Sequence, residues 1–377
     1  MAHRYTGEHR ALLAELREGV NLDLAADLRK YHSLNVSVFT ARAKAHGTHG
    51  SFSHLAKAHS RLAHFDFDVA DYEAAFDNLD YAEDLYRRCR KTDRLSWYGD
   101  WKSRIAEART ERARPAAFLR RPLTAIADAA HGVDHVRATR QAAVRLAHAI
   151  WVWSLVGWDA ELVAEASSGV VAMVLSVGER TDDEREAFRV ALEVAAIAHE
   201  DIGDPAGARE MRSFPRSLND TPFWAVSHTE QIRSRPCPTL REVLADRPDL
   251  VDLLRISSPV FASAGVAPFL PARSLGKRRG KVIAELLARQ RVAEGDAVIT
   301  LGLEIHALSA FADKRTAAWA ESLVLLGRAY AAAGEWAQLE DTVLWLTRMR
   351  RRVPSKLRGE VTRFAKLLDD VPGADSL

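Results

Sequence analysis

Eight of the 13 prolines in this 377-residue chain fall between positions 215 and 271: Pro215, Pro222, Pro236, Pro238, Pro248, Pro259, Pro268 and Pro271. Each removes a backbone donor and disfavours helix in the residue before it, so no long helix can cross that stretch. Almost everywhere else the sequence asks for long helices. Ala, Leu, Arg and Glu dominate, and these residues lose little side-chain freedom in a helix. Leu12, Leu13, Leu16, Val20, Leu24 and Leu28 recur at the spacings of three and four that a helix requires. Between 33 and 50 the pattern weakens, and Gly47 and Gly50 bracket an expected loop. Segments 51–68, 70–90, 96–113, 123–132, 135–156, 159–177, 182–202 and 205–213 then read as helices, with connections short enough for antiparallel packing. Thr181 stands where it would cap 182–202, placing Asp182, Asp183 and Glu184 in the first turn. Inside the proline-rich stretch, Thr239-Leu240-Arg241-Glu242 has capping-box spacing. Helices resume near Lys281 and run almost to Asp370. The expected fold is all-α: an N-terminal segment 1–50, a helical block 51–214, an irregular connection or hinge 215–281, C-terminal hairpins 282–370, and a tail 371–377.

Charge narrows the partners only a little. The 53 Lys plus Arg and 51 Asp plus Glu leave a net +2, which excludes a polycation. Two cysteines, Cys89 and Cys237, make no disulfide framework, and a reducing cytoplasm is expected. The first residues lack the apolar run of a signal peptide. The most apolar stretch, 146–157 (LAHAIWVWSLVG), is about 12 residues against the roughly 20 that cross a bilayer, so it reads as a buried helix and no membrane partner is expected. Trp151 and Trp158, seven apart, are expected to share its core-facing stripe with Trp153 nearby, with no cofactor implied.

A helical chain of this size is distinguished most by whether it repeats. In 323–346 (LVLLGRAYAAAGEWAQLEDTVLWL), Leu326-Gly327, Tyr330, Gly334 and Trp336 follow the spacing of a tetratricopeptide hairpin. Gly327 is expected to let the paired helix approach, Gly334 to make the turn, and Tyr330 and Trp336 to fill the space between helices. A second copy lies 39 residues upstream, at Leu287-Ala288, Gly295 and Asp296. A third centres on Gly203-Asp204 with Ala195, Ala196 and Ala208, and a fourth covers 62–85, with Asp71-Tyr72, Ala75, Leu79, Ala82 and Leu85. The tyrosine position is Asp66 in the 62–85 copy and His199 in the third. On these residues the chain resembles tetratricopeptide-repeat (TPR) proteins over about half its length, and its last hundred residues resemble the helical C-terminal domains of bacterial regulators of that type. The resemblance implies a TPR-like α-solenoid of antiparallel hairpins, with the first helix of each hairpin lining a concave groove. Arg289 and Arg328, each two residues after the matched leucine, then project in the same direction along that groove. Paired guanidiniums suit a carboxylate, a phosphate or an acidic peptide.

Other constellations point elsewhere or nowhere. Leu24-Ala25, Leu28, Val36-Ser37 and Thr40-Ala41-Arg42 are similar to a helix-turn-helix, with the turn between Arg29 and Asn35 and Arg42 towards nucleic acid. Basic runs at 87–91, at Lys277, Arg278, Arg279 and Lys281, and at 348–352 with Lys356 and Arg358 suit phosphates, or complement the dipole where a helix ends. His54, His59 and His64 step by about 140° on a helix and fan out, and Gly132 between His131 and His135 stands where a zinc hydrolase needs its glutamate, so no metal is expected. Catalytic signatures are absent: no phosphate-binding glycine loop, no GxSxG elbow, no HExxH, and no base beside Cys89. No enzyme activity and no cofactor are expected. The sequence therefore reads as a cytoplasmic, bacterial regulatory or adaptor protein binding a protein or peptide of acidic character, with homo-oligomers compatible. Two alternatives stand beside it: a peptide-responsive DNA-binding transcriptional regulator, and a helical enzyme with an unrecognised site.

Overall fold

The structure, a computed structural model, describes residues 22–92, 101–134, 139–175, 180–213, 237–257, 275–310 and 316–370. Among the described residues the only regular structure is helical. The chain divides into two compact units at Leu119/Arg120, whereas the sequence places its boundary in the proline-rich stretch.

The first unit holds α1 (Leu22–His46), α2 (His49–Asp68), α3 (Tyr72–Thr92) and α4 (Trp101–Phe118), each packed on the next. Helix α1 corrects two expectations. It runs unbroken through 33–46, where the sequence pattern weakens, and it has no turn between Arg29 and Asn35, so the helix-turn-helix does not form. No proline or glycine interrupts 22–46, and Asn35 Nδ2 and Ser37 Oγ donate back to the carbonyls of Tyr31 (3.1 Å) and Ser33 (3.0 Å) on the same helix. Its inner face carries Arg29, His32, Val36, Phe39 and Ala43, spaced 3, 4, 3, 4. Arg29 pairs with Asp66 (2.9 Å) and Asp71 (2.5 Å), His32 meets the Phe65 ring, Phe39 stacks on His54, and Ala43 enters the core. The expected loop shrinks to Gly47 and Thr48, and Thr48 caps α2 reciprocally with Ser51. Helix α4 outlasts its expected end at 113 and carries Pro115 inside it. The missing Pro115 donor costs one bond to Glu111, while Ala113, Ala116, Ala117 and Phe118 around it are buried.

The second unit runs α5 (Pro122–Asp134), α6 (Thr139–Leu155), α7 (Ala160–Leu175), α8 (Asp182–Asp201), α9 (Pro205–Ser213), α10 (Leu240–Val243) and α11 (Pro248–Ser257). It continues with a 3-10 turn (Gly276–Arg278), α12 (Arg279–Gln290), α13 (Asp296–Ala310), α14 (Ala317–Ala333), α15 (Trp336–Arg348), and, after a second 3-10 turn (Ser355–Leu357), α16 (Arg358–Asp369). Thr181 caps α8 with Glu184, and Thr239 caps α10 with Glu242, as their spacing predicts. Trp151 and Trp153 are buried on α6, but that helix ends at Leu155 and Gly157 turns the chain. Trp158 therefore shares no helix face with Trp151 and meets Trp153 edge-on at 5.0 Å instead.

Of the proline-rich stretch, residues 237–257 are described, and they are fastened rather than free. The backbone N–H of Leu240 donates to buried Asp159 (2.5 Å), Thr300 Oγ1 donates to the Pro238 carbonyl (2.7 Å), and Arg255 pairs with Glu161 and Glu165. Arg241 also holds Glu161, and Arg247 holds Glu285. These ties reach α7 on one side in sequence and α12 and α13 on the other; 215–236 and 258–274 of the expected connection lie outside the described residues. Helices α13 and α15 also pack on α5, a long-range closure that a linear stack of hairpins lacks.

Candidate functional site

Helices α12 and α14 are the first members of two consecutive hairpins, and they pack side by side. Gln290 at the end of α12 is buried and donates to the carbonyls of Val298 (3.1 Å) and Ser322 (3.4 Å), stitching α12 to α13 and α14. Arg291 on the same end pairs with Glu321 (2.9 Å). In the α14/α15 hairpin, Gly334 takes φ of +72° and makes the expected turn. Tyr330 is buried as expected, and Trp336 is half-buried. Gly327 permits a different approach from the one its motif predicts: a Cβ there would stand 2.8 Å from Cε2 of Phe364 on α16.

Arg289 and Arg328 lie on these neighbouring helices, 31% and 48% exposed. Each already grips a carboxylate. Arg289 Nη1 reaches Asp246 Oδ2 at 2.5 Å, and Arg328 reaches Glu360 at 3.4 Å. The hydrogen bond from Arg289 holds the Asp246 carboxyl below its usual range. The two arginines are therefore presented by equivalent helices, each to a carboxylate from a different neighbouring element.

The basic residues fall in less favourable places. Lys277 and Arg278 are exposed in the 3-10 turn, Arg279 opens α12, and Lys281 is exposed in its first turn. Positive charge at a helix N-terminus opposes the dipole, so the complementing role expected of this run is reversed here; it holds for 348–352 at the end of α15. Arg42 is exposed on α1 and, without a turn, belongs to no recognition helix. The imidazoles face three neighbours: His54 stacks on Phe39, His59 Nδ1 bonds Asn78 (2.7 Å), and His64 approaches Glu111 (3.4 Å). Cys89 is buried, with Sγ directed at the His49 carbonyl, a setting that keeps a thiol inert. His135 lies outside the described residues.

Polar residues that the sequence reading passed over form the interior of the second unit. Asp341 on α15 accepts the backbone N–H groups of Leu123 (2.7 Å) and Thr124 (3.1 Å) and the Thr124 hydroxyl (2.6 Å), so it caps α5 from another helix. Burial pushes its carboxyl up to about 6, against the pull of those bonds. Trp345 Nε1 donates to Thr124 Oγ1 (3.1 Å). His306 Nε2 donates to the Leu123 carbonyl (2.9 Å) while Nδ1 accepts from Trp319 Nε1 (3.3 Å). That arrangement needs the neutral ring, and burial lowers its pKa to about 3. Glu304 is fully buried; burial, then the charge of Asp159, pushes it up to about 8. The Trp158 indole N–H, set against Glu304, pulls the other way but is outweighed. One signal in the sequence marks this interior: Glu304 and His306 interrupt the apolar run Leu301, Leu303, Ile305, Ala307 and Leu308. Beside Trp158 opens a small cleft lined by Ser154, Ala160, Ala198 and Cys237, with room for about 10 Å³, one water.

The chain matches no protein-family model, no curated protein and no solved structure. No described helix is long and apolar enough to cross a membrane.

Proposed function

We propose that this chain is a non-enzymatic regulatory or adaptor protein whose C-terminal hairpins, α12 to α15, are TPR-like and hold an acidic peptide or protein segment. One observation carries the reading: first helices of consecutive hairpins lie side by side and present Arg289, half-buried, and Arg328, exposed, both gripping a carboxylate. Asp246 and Glu360 indicate the kind of group these guanidiniums take. Exposed ion pairs contribute about 0–1 kcal/mol, so a peptide carboxylate displaces them at little cost. A ligand that engages both arginines gains two such contacts on one framework already fixed by Gln290 and Arg291.

The test is fluorescence anisotropy of the full chain with a labelled extended peptide rich in Asp and Glu. Arg289→Glu combined with Arg328→Glu is expected to weaken binding at least tenfold with the circular dichroism spectrum unchanged. Equal affinity in the double variant and the parent would refute the assignment.

A further inference from the structure

Helix α1 has a second apolar face that no described residue of the first unit covers. Tyr31, Leu34 and Val38 are 57%, 63% and 55% exposed, and Ala41 and Ala45 continue the line, also exposed. The five positions are spaced 3, 4, 3, 4, which is the seam of a coiled coil. The inner face, Arg29, His32, Val36, Phe39 and Ala43, has the same spacing and packs on α2, with Ala43 in the core cluster to which α3 and α4 also contribute. The outer seam runs from Tyr31 to Ala45, about 21 Å at about 1.5 Å per residue, enough to seat about four turns of a partner helix.

Charge selects the partner. From Leu28 to His46 the chain contains no Asp or Glu. If Tyr31, Val38 and Ala45 are the a positions, the flanking g and e positions are Lys30, Ser37, Lys44, Asn35 and Arg42; all the charged ones are positive, and Lys30, Lys44 and Arg42 are exposed. A second copy is therefore the wrong occupant. Paired antiparallel, it sets Lys30 against Lys44; paired parallel, it offers Arg42 only the neutral Ser37. We infer that the outer face of α1 is a docking surface for an amphipathic helix of another protein, with apolar a and d positions flanked by Asp or Glu. Apolar burial along the seam supplies affinity, and the basic flanks fix the partner's sign and raise the association rate. The surface shares no residue with the arginine groove, so either assignment can fail alone.

The probe is a labelled 21-residue helical peptide with Leu or Ile at a and d and Glu at e and g, titrated against the full chain at about 50 and 500 mM NaCl. Saturable binding is expected, weakening at least tenfold at the higher salt. Leu34→Ser with Val38→Ser should weaken it at least tenfold; these side chains are exposed, so unchanged circular dichroism shows that the fold persists. Arg42→Glu with Lys44→Glu should abolish binding of the acidic peptide and confer binding of a peptide with Lys at e and g, an exchange that a merely unfolded variant cannot produce. Arg289→Glu with Arg328→Glu should change nothing here. Absence of binding, or binding indifferent to both α1 pairs, overturns the inference. So does a dimer in sedimentation that Leu34→Ser with Val38→Ser dissociates, which would make the occupant a second copy. Peptide binding seen only after deletion of residues 1–20 overturns it as well, by showing that the chain's own first residues take the face.

Discussion

Replacing Glu304 by Gln should make the second unit more stable in alkali and leave it little changed in acid. The side chain is fully buried among apolar neighbours on α13, and burial and the Asp159 carboxylate raise its pKa against the smaller pull of the Trp158 indole. The folded state therefore holds the Glu304 proton more tightly than the unfolded chain does. Stability is complete below the ordinary value of 4.5, drains as the pH rises from there, and reaches its full loss above about 8. Going from 4.5 to about 8 at about 1.4 kcal/mol per tenfold change in proton affinity sets the penalty of the ionised form at about 5 kcal/mol. Glutamine has the shape of the protonated acid and cannot ionise, so the variant escapes that loss. His306 and Asp341 titrate too, but they do so in parent and variant alike and cancel in the difference. Urea unfolding followed by tryptophan fluorescence reads the correct unit, because seven of the nine tryptophans lie beyond residue 120. At pH 5 the two proteins should unfold within about 1 kcal/mol of each other. At pH 8.5 the variant should be the more stable, by up to about 5 kcal/mol, which at about 2.5 kcal/mol per molar urea moves the midpoint by up to about 2 M. A gap between variant and parent that does not widen from pH 5 to pH 8.5 would falsify the reasoning, since it would mean that Glu304 ionises in the fold without cost.

Two further outcomes test the packing. Burial pushes the Glu83 carboxyl up, but Arg112, Arg109 and Arg87 outweigh it and hold it at about 2; Glu83→Gln should destabilise the first unit by about 3–5 kcal/mol. The contribution is present above pH 4.5 and lost as pH falls towards 2, so the gap between Glu83→Gln and the parent should shrink in acid melts; a gap independent of pH would contradict the network. Gly327→Ala sets a methyl 2.8 Å from Phe364 and should cost about 1–3 kcal/mol of second-unit stability, measured by thermal melting. A neutral result there would mean that α16 shifts freely on α14.

Local signals carried much of this fold. Thr181 with Glu184 and Thr239 with Glu242 gave both caps, and Gly334 gave its turn, because each depends on residues three or four apart. Helix α1 escaped for a physical reason. Its inner stripe at His32, Val36 and Phe39 and its outer stripe at Tyr31, Leu34 and Val38 lie on different sides, so the two cancel in any test for a single apolar face. The assumption that Trp151 and Trp158 share a stripe failed because Gly157 turns the chain between them. Arg289 and Arg328 were legible through the repeat spacing, whereas their carboxylate partners, Asp246 and Glu360, are 43 and 32 residues away in sequence. The interior of Asp341, Thr124 and His306 was hidden more deeply, since nothing in an apolar run states which distant helix start its one carboxylate will cap.

That cap has a consequence for how the chain is made. Asp341 closes the first turn of α5 across 217 residues, so the start of the second unit leaves the ribosome with the N–H groups of Leu123 and Thr124 still waiting for their acceptor. At about 5–20 residues per second, α15 follows roughly 10–40 s later. Until then Leu123, which becomes fully buried, has no lid from α15. A row of self-sufficient hairpins could settle one at a time behind the ribosome, but this unit has to be finished before its beginning is complete, and a nascent chain stalled short of Asp341 is the form most in need of a chaperone.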